Sequence, residues 1–201
     1  MFALVESGSI TRMLNGRQGV TVDGVQHPRT IFTLWTEAER NAIGIYTVDI
    51  DESKRKNEQW YKNTNITYAF DGSKVTGSYG DATAKAHADT KWTQAQIDAG
   101  EAPEGADTNT VAVEGLKTKL IRDVKNQAEG ILNATDWYIT RKAEKSTAIP
   151  SAITTHRDAV RTKQAAMETA ITNAADTAAL ETLHTRDSNG DRPLGDLPTL
   201  E

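Results

Sequence analysis

Short apolar runs broken by turn residues occupy the first half of the chain, and apolar positions three or four apart occupy the second. Between Phe2 and Val25 the runs FALV and GVTV are bounded by Gly8, Asn15-Gly16 and Gly19, the pattern of short strands joined by turns. In VTVDGVQH, Asp23-Gly24 supplies the two positive φ angles of a tight turn, so the residues on either side are predicted to pair as a hairpin. Pro28 lacks an N–H and ends that ladder. Thr36 followed by Glu39 makes a capping box and predicts a short helix, with Gly44 as its stop and an extended run from Ile45 to Ile50 beyond. A second hairpin is expected around Asp71-Gly72.

From Ala82 to Asn109 large apolar groups nearly vanish, and the stretch around DAGEAPEG is small and acidic. It reads as a linker with one helical turn near Trp92 to Ile97. After Val113 the period changes. Leu116, Leu120, Val124, Ala128 and Ile131 share one helical face, and Lys117, Arg122, Lys125 and Glu129 share the other. A second helical stretch runs from Trp137 to about Lys145 and stops before Ile149-Pro150. Pro150-Ser151 opens a longer helix with the stripe Ile153, Arg157, Val160, Gln164, Met167 and Ile171, and Asp176 caps a last short one. The predicted architecture is α+β: a β-rich N-terminal domain (1–81), an acidic linker (82–112), an antiparallel helical hairpin (113–185) and an extended C-terminal tail (186–201).

Composition narrows the function. Hydrophobic residues make up 37% of the 201 and aromatic residues 6% of the 201. Little apolar material is available to offset an ordering cost of roughly 1 to 2 kcal/mol per residue, which points to an oligomer or a larger assembly. A net charge of −5 with dispersed Lys and Arg argues against a nucleic-acid surface. The absence of cysteine removes disulfides and thiolate chemistry. The first residues lack a basic, then apolar, leader pattern and no stretch reaches the length of a membrane span, so folding in a cytoplasm is expected. His27, His87, His156 and His184 form no paired ligand motif, and Asp187 to Asp191 matches only the first half of a calcium loop. No phosphate loop, dinucleotide fingerprint or nucleophile elbow occurs. The expectation is a protein without catalytic residues, metal or cofactor that acts by binding other proteins.

The strongest local signal is ATDWYITRKAE (Ala134 to Glu144), followed by Ile149-Pro150 and then RDAVR (Arg157 to Arg161). This stretch resembles the C-terminal module of phage tail-fibre assembly and tail-fibre-associated proteins, over roughly Leu116 to Leu183. A weaker echo lies in Gly24-Val25, Pro28, Trp35, Glu39-Arg40 and Ile43-Gly44-Ile45, similar to a segment of many phage tail proteins. The resemblance implies a phage tail or fibre partner and a place in the virion tail after assembly in the bacterial host cytoplasm. It leaves two roles open: a virion component that binds fibres, and a fibre-folding chaperone that is released. A tail-associated hydrolase is the enzymatic rival, without support from acid or histidine placement.

The candidate partner-binding residues are Trp137, Tyr138, Arg141, Glu144, Arg157 and Arg161. They admit a second reading, in which the aromatics staple two helices and the charges form a solvated lattice. A staple buries Trp137, and its truncation would then cost roughly 3 to 5 kcal/mol. In the tail, Leu194, Leu197 and Leu200 are spaced by prolines and glycine, as in an arm that lies extended in a neighbour's groove.

Overall fold

The computed structural model describes residues 1–200 and divides the chain into two compact units, Met1–Thr83 and Ala84–Glu201. It is α+β, with the N-terminal sheet and C-terminal helices expected from the change of period.

The first unit is built on β1 (Phe2–Glu6) and β2 (Ser9–Leu14), an antiparallel pair turned by Ser7-Gly8 with positive φ at both residues. Next come β3 (Val20–Val22) and β4 (Val25–His27), paired through the Asp23-Gly24 turn with φ of 49° and 78°. Two short helices follow, α1 (Ile31–Leu34) and α2 (Glu37–Asn41). At α2 the Thr36 hydroxyl accepts from the Glu39 N–H while the Glu39 carboxylate accepts from the Thr36 N–H, the reciprocal cap anticipated from their spacing.

Strand β5 (Ile45–Asp51) pairs antiparallel with β1; beyond it lie β6 (Tyr61–Lys62), β7 (Thr67–Phe70) and β8 (Val75–Ser78). The main sheet has the order β2-β1-β5-β8-β7, with β5 and β8 parallel and β7 and β8 forming the second hairpin. In that hairpin's turn the backbone N–H groups of Lys74 and Ser73 both donate to the Asp71 carboxylate, which holds its pKa down to about 2. Both faces of the sheet carry apolar groups. Leu4 and Ile45 pack with Val20, Val22, Ile31 and Phe32 on one side. Ala3, Val48 and Val75 pack with Ile10, Tyr46, Tyr68 and Phe70 on the other, where the edge strands β2 and β7 curl towards each other.

At the boundary lies β9 (Thr83–Ala84). The composition-based linker differs from a structureless connection. It carries β10 (Thr90–Lys91), α3 (Gln94–Asp98) and β11 (Val111–Val113), with β10 and β11 pairing as a ribbon. Thr93 and Gln96 cap α3 reciprocally, so local hydrogen bonding supplies the order that apolar burial does not.

The ribbon leads into α4 (Leu116–Asn133), which is followed by α5 (Asp136–Lys145), α6 (Ser151–Asn173) and α7 (Thr177–His184). The antiparallel hairpin joins α4 to α6. Lys117 Nζ donates to the Thr172 carbonyl at one end, Lys125 pairs with Glu168 midway, and Arg157 reaches the Leu132 carbonyl at the other. Its seam is Val124 and Ala128 against Ile153, Val160, Met167 and Ile171, all buried at the positions the helical period assigns to the core.

Candidate protein-binding site

The site begins at the end of α4, where the chain turns through Ala134 and Thr135 into α5. Thr135 is buried, and its hydroxyl donates to the Leu132 carbonyl at 3.0 Å while accepting from Arg157 Nη1 at 2.6 Å. The same Arg157 nitrogen donates to the Leu132 carbonyl at 2.8 Å, and Nη2 pairs with the Asp136 carboxylate at 2.8 Å. Arg157 therefore adds a charged donor to a carbonyl at the end of α4 that also accepts from the Thr135 N–H and hydroxyl, pairs with the first acid of α5, and fixes the junction to α6. The Thr-Asp pair and the distant Arg157 are one structural latch. This corrects the expectation that Arg157 contacts a partner: the side chain is buried and its bonds are internal.

Beyond the latch, every side chain of α5 is exposed or half-buried. Trp137 is 51% exposed and Ile139 45%. The expected burial of Trp137 is thus corrected too, because α5 projects from the α4–α6 turn instead of lying in its seam. The Trp137 and Tyr138 rings lie 3.8 Å apart at 31°. Arg141, one turn further, sets its guanidinium 4.7 Å from the Trp137 ring centre and 5.1 Å from that of Tyr138. These are cation–π distances. Arg141 Nε is enclosed with no hydrogen-bond partner, and among the described residues Arg141 makes no ion pair. Lys142, Glu144 and Lys145 are exposed on the same short helix.

Arg161 does not join this cluster through any bond among the described residues. It pairs with Asp158 at 3.4 Å and lines a groove of about 670 Å³ along α6 with Leu132, Gln164 and Glu168. The tail residues separate as well. Leu194 is 3% exposed, and its N–H donates to the Leu183 carbonyl of α7. Arg186 grips Asp196 through both terminal nitrogens, and Arg192 pairs with the same carboxylate. Those bonds, Arg186 first, hold the Asp196 carboxyl below the usual carboxylate range. Leu194 is thus a plug for its own chain and not an arm for a neighbour, which corrects that expectation. Leu197 is half-buried and Leu200 49% exposed.

Among the described residues no three His, Asp or Glu side chains converge as a metal-ligand set, and no helix is long and apolar enough to cross a membrane. Comparison with known proteins gave no matching family model, no matching curated protein and no matching solved structure.

Proposed function

We propose that this chain is a structural protein of a phage tail, which binds or attaches tail fibres within the virion by protein–protein contacts and not by catalysis. The observation that supports binding is α5: a helix of ten residues, anchored at its first turn by the Arg157 latch, that presents Trp137, Tyr138, Ile139 and Arg141 outward. Aromatic and arginine side chains are the residues enriched at interface centres, and stacking of Arg141 on two rings lowers the entropy lost when a partner docks. The tail-fibre part of the proposal rests on the resemblance of the stretch around Thr135-Asp136-Trp137. A second reading, a fibre-assembly chaperone released after fibre trimerisation, is favoured by the closed tail, since a C-terminus plugged into its own helices is not a gripping arm.

Identification of proteins in purified mature particles decides between them. Presence of the intact chain at fixed stoichiometry supports the virion component. Presence in infected-cell lysate with absence from particles supports the chaperone. Failure of the chain to bind any tail or fibre protein in either setting would remove both.

A further inference from the structure

The second unit carries opposite charge at the two ends of α4. Between Lys91 and Lys117 the chain has five acids, Asp98, Glu101, Glu104, Asp107 and Glu114, and no Lys or Arg. This stretch is anchored to the start of α4: the Leu116 and Lys117 N–H groups donate to the Ala86 and His87 carbonyls, and Asp89 accepts from the Gly115 N–H and the Thr118 hydroxyl. Helix α5 follows directly from the other end, with Arg141, Lys142 and Lys145 against Glu144 and an Asp136 already paired with Arg157. The 18 residues of α4 set those ends about 27 Å apart at 1.5 Å per residue.

The acids are not equivalent. Asp98 accepts from Gln94, Asp107 is occupied by its own turn with Asn109 and Thr110, and Glu114 pairs with Arg122. Among the described residues the carboxylates of Glu101 and Glu104 have no hydrogen bond or ion pair, and both are exposed. Tight backbone turns present them, with the Glu101 N–H bonded to the Gln96 carbonyl and the Ala106 N–H to the Pro103 carbonyl. At the far end Arg141 is the converse, a guanidinium held on two rings without an anion.

We propose that copies of this chain join head to tail, the Glu101–Glu104 turn of one copy seating on the Trp137–Tyr138–Arg141 face of α5 in the next. The proposal rests on the reading of α5 as a protein-binding helix and names its occupant. The second copy is argued from charge complementarity between two groups that each lack an ion-pair partner among the described residues of their own chain. A contact between two different surfaces is heterologous, so its repetition gives a ring when the rotation closes and a filament when it does not.

Sedimentation analysis of the full chain tests this. At about 0.05 M salt the mass should exceed the 21.9 kDa of one chain, and at about 1 M, where the Debye length falls to roughly 3 Å, it should drop towards one chain. R141E alone and E101R/E104R alone should each stay monomeric. Mixed in equal amounts they should assemble again, because each restores the complementary charge that the other reverses. Circular dichroism melts matching the original chain establish that the variants fold; if R141E does not, K142E/K145E on the same helix replaces it in the mixing test. A monomer at low salt, or variants that assemble unchanged, or a mixture without recovery, would each overturn head-to-tail assembly. A chain that stays monomeric yet binds a tail or fibre protein through Trp137 would sink this inference and leave the protein-binding proposal standing.

Discussion

Arg157 and Trp137 divide the motif formed by Ala134 to Glu144 and Arg157 to Arg161 into a part that stabilises and a part that is displayed. Arg157→Ala removes the bonds from the guanidinium to the Leu132 carbonyl, the Thr135 hydroxyl and the Asp136 carboxylate, while the Thr135 hydroxyl keeps its own bond to the Leu132 carbonyl. A loss of about 2 to 3 kcal/mol is expected, since hydrogen bonds to charged groups sit in that range, and chemical denaturation of the full chain measures it. Trp137→Ala should behave in the opposite way. With half of the indole already in water, stability should change by no more than about 1 kcal/mol, while an interface centred on this residue should lose about 2 kcal/mol or more of binding. A large fall in the melting temperature for Trp137→Ala would mean the ring is a core residue after all. From sequence these two side chains look alike as members of one motif. The motif contains Thr135 and Asp136, but the arginine that completes it lies 22 residues beyond Thr135, and only folding shows which side chain faces inward.

Elements whose signal is local were legible: both hairpin turns, the Thr36 cap, and the α4 and α6 stripes with Val124, Val160, Met167 and Ile171 inward. Pairings between distant segments were not. Nothing in Val48 or Val75 announces that β5 and β8 run parallel, and the four-residue α1 is too short to show a period. Prolines and glycine break periodicity in the tail and predict an extended segment, whereas Leu194 finds burial on its own chain, for which no local pattern exists. Gly115, the N-cap of α4, illustrates how closely the acidic stretch is joined to the helices. A Cβ there would overlap the Ala88 carbonyl group, so Gly115→Ala should cost about 2 kcal/mol by overpacking, visible as a lower unfolding midpoint in denaturant. The tail adds a pH dependence. Asp196 has a depressed folded-state pKa, so its contribution is present above the ordinary carboxylate range and is lost as pH falls through the folded value. His184, whose Nδ1–H donates to Leu180 and whose burial pushes its pKa down, acts in the same direction from its ordinary value of 6.5 downwards. Acidification should therefore lower the hydrogen-exchange protection factor of the Leu194 amide, taken against the intrinsic rate at each pH, before it unfolds α4, and Asp196→Asn should weaken the carboxylate part of that dependence.

Each unit of the molecule has its own core, sheet clusters in the first and the α4–α6 seam with Leu180 and Leu194 in the second. A fragment from Ala84 onwards should retain its helical circular dichroism and a cooperative melt; a fragment without a transition would show that the second unit depends on the first. The sparse apolar composition is thus divided between two small cores, and α5 draws on neither. Because no α5 side chain is needed to fill the interior, substitutions at Trp137, Ile139, Arg141, Lys142 and Glu144 are nearly free of folding constraint, and selection at those positions is left to whatever they touch. On the proposed reading of α5 as a protein-binding helix, a lineage that changes its partner can rewrite this one helix while the latch behind it, Thr135, Asp136 and Arg157, stays as it is.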